Sequence, residues 1–120
     1  MEFPDTDIPF MRAAEAYLTY AEAVVRGATP IGGYSALQAV NAVRARAKAS
    51  VLVAVDKDVI LDEWSREFYF EGRRRTDLIR YGYFTGNAYN WDWKGGVANG
   101  TALPGYLNLM PLPADDLNAN

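Results

Sequence analysis

The chain has 120 residues, half of them hydrophobic, and a formal net charge of −3. That length suffices for one modest domain with a real core, and the acidic balance speaks against a nucleic-acid partner. Cysteine and histidine are both absent, which excludes disulfides, thiolate and HExxH metal sites and Ser-His-Asp catalysis, so no metal and no cofactor is expected.

The opening stretch MEFPDTDIPF has neither the basic n-region nor the apolar h-region of a signal peptide. No later apolar run reaches the roughly 18 residues of a transmembrane segment. Asp5, Asp7 and Pro9 suit a helix start, with Asp7 as the expected cap. The pattern is helical from about 10 to 26. Phe10, Ala13, Ala14, Tyr17, Leu18, Ala21, Val24 and Val25 make a broad apolar face, while Arg12, Glu15 and Glu22 stand apart from it. Gly27 ends this helix, and Pro30, Gly32 and Gly33 form the loop. Ser35 followed by Gln38 is a capping box for a second helix over 35–48, with Leu37, Val40, Val43 and Ala47 on its core side. Two helices and a short Gly/Pro loop predict an antiparallel hairpin, about one tetratricopeptide unit long.

Residues 49–55 read either as a short strand or as a hydrophobic connector. Asp56 and Asp58 then offer caps for a central helix over 58–72. Ile60, Leu61, Trp64 and Phe68 share one face of it, and Glu63, Glu67 and Glu71 form an acidic stripe on another. Gly72 permits a bend or a C-cap, and residues 74–81 predict a shorter helix closed by Gly82. Around Gly72 the spacings Glu71–Arg75, Arg73–Asp77 and Asp77–Arg80 predict ion pairs. An arginine beside each acid lowers a carboxyl pKa, whereas a general acid needs a raised one, so a catalytic carboxylate pair is not expected. The same acids favour self-pairing of the arginine cluster over phosphate binding.

From Gly82 onward lie six of the ten glycines and three of the six prolines, interleaved with Tyr83, Phe84, Tyr89, Trp91, Trp93 and Tyr106. This composition predicts an ordered, irregular coil. MPLPADDLNAN reads as an extended Pro segment and then a turn. Within the coil, NWDWKGG carries the candidate ligand contacts: Tyr89, Trp91, Asp92, Trp93 and Lys94. Flat aromatic faces stack on the apolar faces of sugars, while Asp and Lys hydrogen-bond hydroxyls. The competing reading is that the tryptophans pin the coil onto the helices. Gly95-Gly96 is no phosphate loop, because no GKS/T follows. The expected fold is mainly α: a tetratricopeptide-like helical hairpin plus a central helix, with a long irregular Gly/Pro/aromatic-rich C-terminal coil, as a single domain over 1–120.

Four stretches look familiar in this order: FMRAAEAYLTYAEA (10–23), AVNAVRARA (39–47), EFYFEGRRRTDLIRYG (67–82) and LMPLPADDLNAN (109–120). They resemble the RxAExYLxYAEA, xxNxVRxRA, ELxxEGxRxxDLxRxG and PIPxxxLxxN segments of the C-terminal part of the SusD/RagB family of nutrient-binding outer-membrane lipoproteins. One departure is Trp64, where the family often has arginine. The resemblance implies a C-terminal portion of a longer protein, the alternative being a short protein complete in itself. It further implies surface exposure on the outer membrane of a Bacteroidetes-type cell, through a lipid anchor outside this chain. Such proteins capture glycans, or sometimes peptides, and deliver them to a SusC-like TonB-dependent transporter, without chemistry of their own. The family's ligand residues vary and none carries over. The matched residues Arg12, Glu15, Glu22, Asn41, Arg44, Arg46, Glu67, Glu71, Arg74, Asp77 and Arg80 are expected to be structural.

The function expected is therefore non-enzymatic glycan capture, the alternative being a protein–protein interaction module built on the hairpin. The apolar face over 10–25 needs cover, by self-association or by the aromatic coil. The coil is the favoured cover, and a tryptophan used as a lid would be lost as a sugar platform, leaving the isolated piece a weak glycan binder.

Overall fold

A computed structural model describes residues 10–119. Among them are five helices: α1 (Ala13–Val25), α2 (Ala36–Arg46), α3 (Lys57–Glu67), α4 (Arg74–Arg80) and α5 (Ala114–Asn118). Short 3-10 turns occupy Ile31–Gly33, Lys94–Gly96 and Gly105–Asn108. The fold is mainly helical, as the periodicity predicts. The chain divides into two compact units, one ending at Phe70 and the other starting at Glu71.

The first unit is the hairpin plus α3. α1 packs on both α2 and α3. Its inward positions Ala14, Leu18 and Ala21 recur at helical spacing and are buried, as are Ala36, Ala39, Val40 and Val43 of α2. Alanines on both helices let the backbones approach closely, and the larger Ile60 and Trp64 of α3 fill the remaining core with Phe68. The buried Trp64 donates its indole N–H to the Glu22 carboxylate at 3.1 Å. Glu22, expected to stand apart from the apolar face, is therefore buried, and Arg26 shares its charge at 2.8 Å.

Several helix ends differ from expectation. α1 starts at Ala13, with Arg12 at the cap position and no side-chain cap; Asp5, Asp7 and Pro9 lie outside the described residues. Phe10 and Met11 precede the helix and are exposed, so neither joins its apolar face. The buried part of that face is closed by α2 and α3. Arg12 instead reaches Glu67, bonding its carboxylate at 2.6 Å and its main-chain carbonyl at the end of α3, while its guanidinium lies 4.1 Å from the Phe68 ring centroid. The capping box of α2 forms as read, Ser35 accepting from the Gln38 N–H and Gln38 from the Ser35 N–H. Ala47, placed on the core side, lies beyond the helix end and is exposed. Residues 49–55 are a connector, not a strand. Asn41 holds it, its side chain donating to the Leu52 carbonyl at 3.0 Å and accepting from the Leu52 N–H at 2.8 Å. Asp56 caps α3 by accepting from the Asp58 and Val59 N–H groups.

α3 ends at Glu67, short of the expected 72, because Phe70 and then Gly72 take left-handed backbone (φ 64° and 75°). Glu71 thus lies between α3 and α4 and not one helical turn before Arg75. Glu67 finds its arginines across helices, Arg46 joining Arg12 on it, whereas Glu63 binds Arg44 of α2 at 2.7 Å and Arg66 of its own helix at 3.1 Å.

Candidate functional site

The second unit is built on α4. Asp77 is 1% exposed and accepts from Arg73 Nε at 3.1 Å and Arg80 Nη2 at 3.0 Å. The i,i+4 and i,i+3 spacings thus form the pairs they predict. This brace leaves Arg74, Arg75 and Leu78 for another side of the short helix. Gly82 (φ 75°) turns the chain, and the N–H groups of Tyr83 and Phe84 both donate to the Leu78 carbonyl, at 2.8 and 3.1 Å. The aromatic segment is thereby returned alongside α4.

The loop that follows is tied shut at several points. Gly86 donates to the Leu103 carbonyl at 2.8 Å, and the Asn108 amide donates to the Thr85 hydroxyl at 3.1 Å. Lys94 is the hub. It is 1% exposed, and its Nζ donates to the Gly86 carbonyl at 2.8 Å and the Tyr89 carbonyl at 2.6 Å, with the Trp91 ring centroid 4.8 Å away. Its main chain donates to Trp91 and accepts from Thr101. Gly100, with φ 72°, lets the strands of the loop close up: a Cβ there would sit 2.5 Å from the Trp91 carbonyl oxygen.

These ties set a run of rings side by side. Tyr83 and Tyr89 stack at 5.5 Å with 10° between planes, and Phe84 and Trp91 stack at 6.2 Å with 26°. Tyr89 and Trp91 are 6.2 Å apart. Between the rings and α4 lies a cleft of about 320 Å³ lined by Arg74, Arg75, Leu78, Phe84, Tyr89 and Trp91. Arg74 Nη2 donates to the Tyr89 hydroxyl at 3.0 Å, and the Arg75 guanidinium sits 4.9 Å from the Phe84 centroid.

Of the residues singled out in the sequence, Tyr89 and Trp91 thus form one wall. Asp92 and Trp93 are exposed and do not line the cleft. Lys94 lends its ammonium to the loop, not to solvent. Arg74, Arg75 and Phe84 are the lining residues that sequence reasoning assigned elsewhere: the arginines to local ion pairs, the phenylalanine to generic coil packing. The signal available was the sharp turn at Gly82, which folds an aromatic run back beside a basic helix. The cleft lining holds no carboxylate, and among the described residues no group of three His, Cys, Asp or Glu could hold a metal. The chemistry on offer is binding through ring faces, a hydroxyl and guanidinium donors. No helix of the described residues is long and apolar enough to cross a membrane.

Comparison with known proteins agrees along nearly the whole chain. The SusD family profile matches residues 2–120. The chain is similar to the starch-binding protein SusD of Bacteroides thetaiotaomicron, 51% identical over 119 residues, which are 98% of this chain and 21% of that protein. The chain therefore spans about a fifth of the length of this relative.

Proposed function

Because the chain belongs to the SusD family, we propose that it is the C-terminal portion of a non-enzymatic glycan-capture protein. In this reading the parent protein sits at the outer-membrane surface as a lipoprotein and passes oligosaccharide to a SusC-like TonB-dependent transporter. Residues 1–120 are read as one domain-sized portion of it. The carrying observation is the aromatic wall of Tyr89 and Trp91 over a cleft with guanidinium donors opposite. Ring faces stack on the C–H faces of a pyranose, and the Tyr89 hydroxyl and the arginine N–H groups match sugar hydroxyls. Asp92 and Trp93 flank this wall as exposed outer contacts, and Lys94 contributes by holding the Trp91 ring in place.

Titrating oligosaccharides while following tryptophan fluorescence tests the proposal. Saturable binding is expected, with Trp91→Ala weakening it about tenfold or more, and more than Trp93→Ala does. Binding that survives Trp91→Ala and Tyr89→Ala unchanged would remove the cleft as the glycan site.

A further inference from the structure

We propose that the cleft takes a sugar residue carrying an anionic substituent, a carboxylate or a sulfate, and that Arg75 is the group that selects it. The inference rests on the glycan reading of the cleft and names the class of glycan.

The arginine-rich stretch divides into two kinds of partner. Arg73 and Arg80 share the Asp77 carboxylate. Arg75 pairs with no carboxylate among the described residues. Its Nη2 donates to the main-chain carbonyls of Leu107 at 2.6 Å and Leu109 at 3.4 Å, and its planar head lies by the Phe84 ring. Those partners are neutral, so they orient the guanidinium without cancelling its charge. Only one of its nitrogens, Nη2, is engaged, which leaves the Nε and Nη1 hydrogens as charged donors for a carboxylate or sulfate. A second cation stands behind the opposite wall. The Lys94 ammonium touches the Trp91 ring and is bonded to two further main-chain carbonyls, again neutral. The cleft lining includes two arginines and no acid.

A partly enclosed, half-buried site screens charge less than open water does. A neutral sugar would stack on Tyr89 and Trp91 but leave the Arg75 charge unmatched. An acidic sugar would do both, with the ring faces holding the pyranose and Arg75 holding the anion.

The test is calorimetric titration of the 120-residue chain at low and high salt with maltoheptaose, an oligogalacturonate of similar length, a sulfated maltooligosaccharide and inorganic sulfate. The acidic oligomers are expected to bind about tenfold or more tighter than maltoheptaose at low salt, with the gap shrinking at high salt. Whichever acidic oligomer leads identifies carboxylate or sulfate as the substituent. Arg75→Gln should erase the gap, and Arg75→Lys, which keeps the charge and is the safer variant for folding, should retain part of it. If maltoheptaose binds as tightly as the acidic oligomers, in a manner lost in Trp91→Ala, the glycan reading stands and this inference falls. If inorganic sulfate binds as tightly as the acidic oligomers and Trp91→Ala changes nothing, the cleft is an anion site only and both fall.

Discussion

Lys94 shows how one residue can change role between sequence and structure. Beside Trp91, Asp92 and Trp93 it reads as a hydrogen-bond donor for a ligand. In the fold its ammonium closes the loop on itself, on the carbonyls of Gly86 and Tyr89. No local pattern announces that exchange, because both acceptors are main-chain groups of an irregular segment. Asp77 is the contrasting case: its partners sit four residues before and three after, so spacing alone identifies them. A buried ammonium held by two carbonyls predicts a clear penalty on removal. Lys94→Met keeps the stem and its packing but strands both carbonyls, and should destabilise the second unit by about 2–3 kcal/mol. Hydrogen exchange of the amides over 86–103 reads this out directly. Unchanged protection there would show that the carbonyls are satisfied without the lysine.

At the scale of the element, the helices were legible because their determinants are local. The Ser35–Gln38 box, the Asp56 cap and the apolar periodicity all lie within a few residues of the ends they set. The ends also close alike. Gly27, Lys48 and Gly82 each take left-handed backbone, and in each case paired N–H groups return to the last helical carbonyls, as in Ala28 to Ala23 and Gly27 to Val24. Lys48 is the odd member, for it does with a side chain what the others do without one. The expected consequence is that Lys48→Gly stabilises the hairpin by about 0.5–1 kcal/mol, the relief of left-handed strain exceeding the entropy glycine adds to the unfolded chain. A rise in the urea midpoint at constant slope is the signature, and a fall would show that the exposed lysine makes a contact worth more than its strain. What local reading missed at this scale was Asn41. Its bonds to Leu52 explain how the connector VLVAV is fixed without a strand partner, and they span a loop that no helical or strand period encodes.

At the scale of the molecule, the family and the mainly helical class were legible, whereas the lattice that ties the helices was only half so. The expected ion pairs were local; the decisive ones in the first unit are not. Arg12 and Glu67 are 55 positions apart, yet this pair joins the start of α1 to the end of α3, and Arg46 brings in the end of α2. Periodicity can place Glu67 on a face but cannot say which helix will present a cation to it. The cleft was half legible for a related reason. The ring wall lies in one short stretch, but the arginines opposite were already explained by neighbouring acids. The Glu67 node offers a graded test of how such a lattice stabilises the unit. The Glu67 side chain is 7% exposed, that of Arg12 22% and that of Arg46 63%. Removing the buried acceptor takes its carboxylate from two cations at once, one of them half-enclosed, so Glu67→Ala should cost about 3 kcal/mol. Arg46→Ala removes a solvated partner and should cost under about 1 kcal/mol. Arg12→Ala belongs between them, because it also gives up the carbonyl of Glu67 and the face of Phe68. Urea unfolding of the three variants gives the order directly. An Arg46→Ala loss equal to that of Glu67→Ala would mean that the exposed pair, not burial, carries the node.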